Sequence, residues 1–220
     1  MTEIKELFPS MATIASDIFD GKTYPWEILD DIKDFIVRLG NSLPEDKFIK
    51  KDEEDIWIAK SAKVAPTAFI GAPCIIDEDA EIRHCAFIRG SAIVGKRTVV
   101  GNSVELKNCI LFNNVQVPHF NYVGDSVLGE FSHMGAGSVT SNVKSDKSNV
   151  VIKSADGNIP TNRKKVGAFL GDNVEVGCNS VLNPGTVIGC HSNIYPTSCV
   201  RGVIPENSIF KSSDNIVKKI

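Results

Sequence analysis

The chain has 220 residues, 42% of them apolar and 23% charged, with a formal net charge of −3. These figures describe a folded globular protein; they exclude a disordered or collagen-like chain, and the lack of a basic excess argues against nucleic acid as a partner. Aromatic residues make up only 7%, while Ile and Val recur throughout and there are 17 Gly, which predicts a β-rich core of branched aliphatics.

Residues 1–55 carry no short repeat. From Pro25 to Leu39 the apolar positions Trp26, Leu29, Ile32, Phe35, Ile36 and Leu39 follow helical spacing. Pro25 suits a first helical turn and Gly40 a helix stop. Ser10 to Phe19 reads as a weaker helix. A small helical N-terminal segment is therefore expected, packed on the core that follows or on a partner subunit. The first ten residues contain acidic side chains and no apolar signal segment, and no run approaches the roughly 18 apolar residues of a membrane-spanning helix.

A repeat begins at Ile58. Steps of six land on Ile58, Val64, Ile70, Ile76, Ile82, Ile88, Val94, Val100 and Leu106, and the phase resumes at Leu170, Val176, Leu182, Ile188, Ile194 and Val200. Two residues before most of these sits a small side chain, such as Ala62, Ala68, Cys74, Ala80, Ala86 or Ala92. A period of six is neither that of a helix nor simple strand alternation. It fits short strands joined by corners, three to a triangular coil of about eighteen residues, with the aliphatic inside and the small residue relieving the turn. Residues 56–211 are thus expected to form an all-β parallel β-helix, a hexapeptide-repeat solenoid, with 212–220 as a C-terminal tail.

Two departures interrupt the repeat. Between Phe112 and Met134 the phase breaks, with a five-residue step from Val123 to Leu128. Residues 143–166 form an excursion, expected to protrude as a loop, containing Lys144, Lys147, Lys153, Arg163, Lys164 and Lys165, with Asp156-Gly157 as a hairpin turn signal. Six cysteines (Cys74, Cys85, Cys109, Cys178, Cys190 and Cys199) are scattered without a Cys-x-x-Cys pair, as expected for reduced thiols in a cytoplasmic protein.

Chemistry is sought where the repeat fails. A solid prism binds on its faces or between subunits. His119 has the residue type of a general base for an amine nucleophile, and Tyr122 could orient a sugar. Arg89 and Lys107, from neighbouring coils, could hold a phosphate. The N–H groups of Gly135-Ala136-Gly137 could meet a thioester oxygen, and Asn142 could serve an amide or hydroxyl. Solvated corner residues account for the same positions equally simply. His84 and His191 read as surface residues, while His133 stays in consideration beside the glycine run. The four histidines provide no close pair for a zinc site, so no metal is expected, and no Gly-rich phosphate loop supports nucleotidyl transfer.

Four stretches carry a resemblance: Phe87 to Gly90, Val100 to Asn108, Pro118 to Asp125, and Met134 to Asn142. Together they resemble the acetyltransferase half of the bacterial glucosamine-1-phosphate acetyltransferase/N-acetylglucosamine-1-phosphate uridyltransferases. They also resemble the archaeal sugar-1-phosphate nucleotidylyltransferase/acetyltransferases, more closely through Arg163 to Asn173. The match covers about Ile58 to Lys211. It implies a left-handed β-helix, a homotrimer, and transfer of acetyl from acetyl-CoA to the amino group of a hexosamine-1-phosphate in nucleotide-sugar precursor synthesis. It further implies His119 as catalytic base; Arg89, Lys107, Tyr122, His133, Asn142 and Lys147 as substrate contacts; and Ala136, Cys178 and Pro196 as acetyl-CoA contacts. Three positions depart from the bacterial pattern: His133 replaces an Asn, Cys178 a Ser, and Pro196 a small residue. Residues 1–55 are expected to stand in place of the nucleotidyltransferase half. The alternative expectation is a non-catalytic trimer that binds a sugar phosphate or nucleotide sugar and partners a separate nucleotidyltransferase.

Overall fold

The computed structural model describes residues 2–51, 54–155 and 157–219. Met1, Asp52 and Glu53 of the predicted N-terminal segment, Asp156 of the predicted turn and Ile220 of the predicted tail lie outside them. Short parallel strands stack coil upon coil. The six-residue series becomes three interior columns, one per face of a prism. Face one stacks Ile58, Ile76, Val94, Leu111, Leu128, Leu170, Ile188 and Ile204. Face two stacks Val64, Ile82, Val100, Val117, Met134, Val176, Ile194 and Phe210. Face three runs from Ile70 through Ile88, Leu106 and Val123 to Leu182 and Val200.

The winding continues through the predicted break. Leu106 pairs with Val123 and Leu111 with Leu128, so each of these two coils drops one residue at the same corner and stays in register. Corners are turned by residues in the left-handed region rather than at the small residues: Asp79, Cys85, Ser91, Arg97, Ser103, Asn108, Asn114, Phe120 and Asp125 all have positive φ. That conformation costs an L-residue roughly 1–2 kcal/mol, least for Asn and Asp. The small residues follow these turns and point inward, where Ala80, Ala86 and Ala92 are buried. Thr98 takes the same place and its hydroxyl donates to the Phe112 carbonyl at 2.7 Å.

The N-terminal segment covers face one. On that face the residue before each interior aliphatic is also apolar: Trp57, Ile75, Ile93, Ile110, Val127, Phe169 and Val187 are all buried. Phe8, Phe19 and Phe112 cluster there with ring centroids 4.9–5.8 Å apart, and Trp26 meets Phe169. Helix α1 (Ile4–Leu7) and a 3-10 turn at Ser16–Phe19 precede a second 3-10 turn at Pro25–Ile28 and helix α2 (Ile32–Gly40). The single helix predicted from Pro25 is therefore divided, and the stretch from Ser10 shrinks to one turn. Docking explains both changes: the Leu29 carbonyl accepts from the Asn108 amide at 3.1 Å instead of continuing a helix, and the Ser10 N–H is held by buried Asp172 at 3.0 Å. Gly40 ends α2 without a positive φ. Its missing Cβ makes room for the Trp57 indole, so packing rather than capping requires glycine.

The excursion folds back on the prism. Strands Val151–Ser154 and Gly157–Pro160 pair antiparallel, and Val150 and Ile152 are fully buried. At the C-terminal end, Asn215–Lys218 returns antiparallel to Ser208–Ser212. No helix among the described residues is long and apolar enough to cross a membrane.

Candidate functional site

The one-residue deletion in two coils shapes the site, because it draws Lys107, Asn108, Asp125 and Asn142 together at the junction of faces three and one. The Asp125 carboxylate, 3% exposed, accepts from Lys107 Nζ at 3.0 and 3.1 Å and from Asn108 Nδ2 at 2.9 Å. Asn142 Nδ2 donates to the other Asp125 oxygen and to the Tyr122 hydroxyl. Arg89, one coil before Lys107, donates to Glu105 at 2.8 Å, and that bond raises the affinity of the guanidinium for its proton. Burial, then the nearby Asp125 and Glu105 charges, push the Tyr122 phenol above the ordinary tyrosine range, which keeps it a neutral hydrogen-bonding group.

His119 ends face two at the Phe120 corner, and Tyr122 stands three residues on, on the outer side of face three. The Asn121 side chain, 2% exposed, sets this corner. It accepts from the His119 N–H at 3.2 Å and donates to the Gly135 carbonyl at 2.8 Å and the Ser138 carbonyl at 3.1 Å. Along the same edge, coil by coil, lie Ala136, Cys178 and Pro196, two residues beyond Met134, Val176 and Ile194 in the interior column. Within the glycine run, Gly135 N–H is spent on the Val176 carbonyl and Gly137 N–H on the His119 carbonyl. Among the described residues the Ala136 N–H has no acceptor, so the run offers one donor rather than three.

The structure therefore gathers Arg89, Lys107, Tyr122 and Asn142 around Asp125, and His119, Ala136, Cys178 and Pro196 along one edge, with face three between the two groups. Two of the predicted positions fall elsewhere. His133 lies on the outer side of face two, 2.7 Å from Glu175, and Lys147 is exposed on the excursion. Asp125, Asn108, Glu105 and Asn121 escape a search for charged or nucleophilic motifs. Their signal is positional: Asn121 occupies a place that other hexads fill with Ala.

Beside Arg89 and Lys107 opens a cleft of about 780 Å³. Its inner wall is Arg89, Lys107, Asn108 and Asp125; its outer wall is Leu29, Asp30 and Lys33 of the N-terminal segment and Asn162–Lys165 of the excursion. Arg163 ties these outer parts together, through an ion pair to Asp30 and a bond to the Glu27 carbonyl at 3.4 Å.

A hexapeptide-repeat β-helix with an ordered polar cluster at one corner defines the class. The family profile described as the GMPPB C-terminal domain matches residues 70–191, more than half of the chain, and the chain belongs to that family. A bifunctional sugar-1-phosphate nucleotidylyltransferase/acetyltransferase of Sulfurisphaera tokodaii is 34% identical over 102 residues, 46% of this chain and 25% of that protein. A bifunctional protein GlmU of Methanococcus vannielii is 30% identical over 159 residues, 72% of this chain and 34% of that protein. These are the kinds of protein that the sequence motifs resemble, and the chain spans about a quarter to a third of the length of these relatives. Among solved structures, the acetyltransferase domain of PglB from Neisseria gonorrhoeae FA1090 in complex with acetyl coenzyme A aligns with TM-score 0.32 and 14% identity, covering 73% of this chain and 56% of that one.

Proposed function

We propose that this protein is an acetyl-CoA-dependent N-acetyltransferase acting on a hexosamine with phosphate at its anomeric carbon, in a sugar-nucleotide pathway. Glucosamine-1-phosphate is the reference acceptor. The observation that carries this reading is the arrangement across face three. A cationic pair, Arg89 and Lys107, stands at one side, and a histidine beside an unpaired backbone N–H stands at the other. The face measures about 16 Å from the Phe120 corner to the Asp125 corner, at roughly 3.3 Å per residue. An extended Arg or Lys side chain and a sugar phosphate together span that width.

In the proposed reaction, His119 removes a proton from the acceptor ammonium, and the freed amine attacks the thioester carbonyl. A C–N bond forms, and the oxygen of the tetrahedral intermediate takes up negative charge facing the Ala136 N–H. The oxyanion then re-forms the carbonyl as the C–S bond breaks; the protonated His119 returns its proton to the departing sulfur, the amide nitrogen gives up its surplus proton to solvent, and coenzyme A leaves as its thiol. Acetyl-CoA would lie along the Ala136–Cys178–Pro196 edge, where side chains are short. Tyr122 and Asn142 would hold the sugar through the hydroxyl and amide that already bond to each other. His133 and Lys147 would serve the acceptor only across a subunit boundary. A homotrimer is part of this proposal; exposed Phe69, Phe87, Phe120 and Tyr195, on face three and its border with face two, support self-association there.

The test is acetyl transfer to glucosamine-1-phosphate, followed as thiol release. His119→Ala is expected to lower kcat by about 10²–10⁴, the usual contribution of a general base. Unchanged turnover in that variant would remove His119 from the mechanism. Absent turnover with any amino sugar, together with retained sugar-phosphate binding, would favour a binding role.

A further inference from the structure

The cations around the cleft are not equivalent. Arg89 is paired with Glu105, Lys107 with Asp125, and Arg163 with Asp30. Lys33, Lys164 and Lys165 line the same cleft, are exposed, and have no ion pair among the described residues. The unneutralised positive charge thus sits on the outer wall, beyond Arg89 and Lys107 as seen from His119. On the proposed reading, a sugar lying across face three sets its anomeric phosphate at Arg89 and Lys107. Whatever is bonded to the far side of that phosphate then enters the basic cleft.

From this placement we infer that the cleft is a diphosphate site, and that the preferred acceptor is an amino sugar linked to a diphosphate, as in a nucleoside diphosphate sugar. The inference rests on the proposed acetyl transfer for the direction of the sugar, but the anion site itself stands on the cleft and its unpaired lysines. One phosphoryl group meets the paired cations of the inner wall; the second meets Lys33 and Lys164. A single phosphate at the inner wall would leave the lysines of the outer wall without a counter-charge, which like-charge repulsion disfavours. The walls come from the N-terminal segment and the excursion, so the second subsite is built outside the repeating coils.

Coenzyme A also carries a diphosphate, and the two sources of that chemistry make opposite predictions. The acceptor is the assigned source, because the Ala136–Cys178–Pro196 edge lies across face three from the cleft. The experiment is calorimetric titration of the whole protein, at fixed ionic strength, with orthophosphate, pyrophosphate, UDP and coenzyme A. Pyrophosphate and UDP are expected to bind at least tenfold more tightly than orthophosphate. The double variant Lys33→Ala/Lys164→Ala is expected to erase about tenfold of that preference, equivalent to about 1.4 kcal/mol, while orthophosphate and coenzyme A affinities stay within twofold. Equal binding of orthophosphate and pyrophosphate, or a preference that survives the double substitution, would overturn the site. A loss confined to coenzyme A would overturn its assignment to the acceptor. Because the readout is binding, failed acetyl transfer with an intact diphosphate preference would count against the catalytic reading alone.

Discussion

Asp125 carries more of the site than any residue that motif reading singles out. A buried carboxylate needs compensating charge and hydrogen bonds, and its partners are two of the proposed substrate contacts, Lys107 and Asn142. Lys107 and Asn142 are therefore held in place by the fold itself. Tyr122 is the neighbour whose ionisation is coupled to this cluster. Its folded-state pKa is raised, so the unfolded chain ionises first as pH climbs. The stabilisation is complete below the ordinary tyrosine range near 10 and is lost above it. Tyr122→Phe is accordingly expected to flatten the alkaline loss of stability, measured as denaturation midpoints above pH 9 against the same series for the parent protein. Thiol chemistry offers a second check at this scale. Burial pushes the Cys74 thiol up to about 12 and raises Cys109 as well, whereas Cys85, Cys178 and Cys199 are exposed. Alkylation of the native protein should mark the exposed three and spare Cys74, Cys109 and Cys190, all of which are buried. Saturating acetyl-CoA should protect Cys178 specifically; equal labelling with and without it, read by mass spectrometry, would place the cosubstrate elsewhere.

Among the elements, the N-terminal segment has the largest consequence. It hides a face of the prism whose outward column is as apolar as its interior column, and it supplies one wall of the cleft. Its fit is tight where α2 meets the first coils: a Cβ on Gly40 would enter the Trp57 ring, and Trp57 is only 4% exposed. Gly40→Ala should therefore cost about 1–3 kcal/mol by overpacking, although alanine is the better helix former. A rise in stability on chemical denaturation would mean that the indole moves aside freely. The doublets that announce this covered face, Ile75-Ile76, Ile93-Val94, Val127-Leu128 and Val187-Ile188, are visible in the sequence at every third hexad. The interior aliphatic alone does not distinguish them, because it recurs alike on all three faces.

At the scale of the whole molecule, the three faces have different fates. Face one is covered by the chain's own N-terminal segment. Face two presents Glu81, Gln116, His133, Glu175 and Asn193 to solvent. Face three presents Phe69 and Phe87, 60% and 42% exposed, in the column that continues through Glu105 to Tyr122. Exposed aromatics stacked on a flat surface are costly in water unless something covers them. The proposed trimer predicts that Phe69→Glu/Phe87→Glu lowers the molar mass in solution, by light scattering, to that of one chain. An unchanged mass would leave this face without a role in assembly.

The coil, its six-residue period and the interior aliphatics were determined by the sequence alone, because each repeat contacts only the coils above and below it and a local pattern suffices to specify them. The candidate residues were legible as types for the same reason: His119, Arg89 and Lys107 stand where the repeat admits charge or is interrupted. Their grouping was not. Asp125 beside Lys107, Asn121 bonded to Gly135, and Lys33 lining one cleft with Lys164 join residues 14 to 131 positions apart in sequence. Only tertiary structure decides such meetings, since they depend on one residue dropped from a corner and on where the N-terminal segment finds an apolar face to cover.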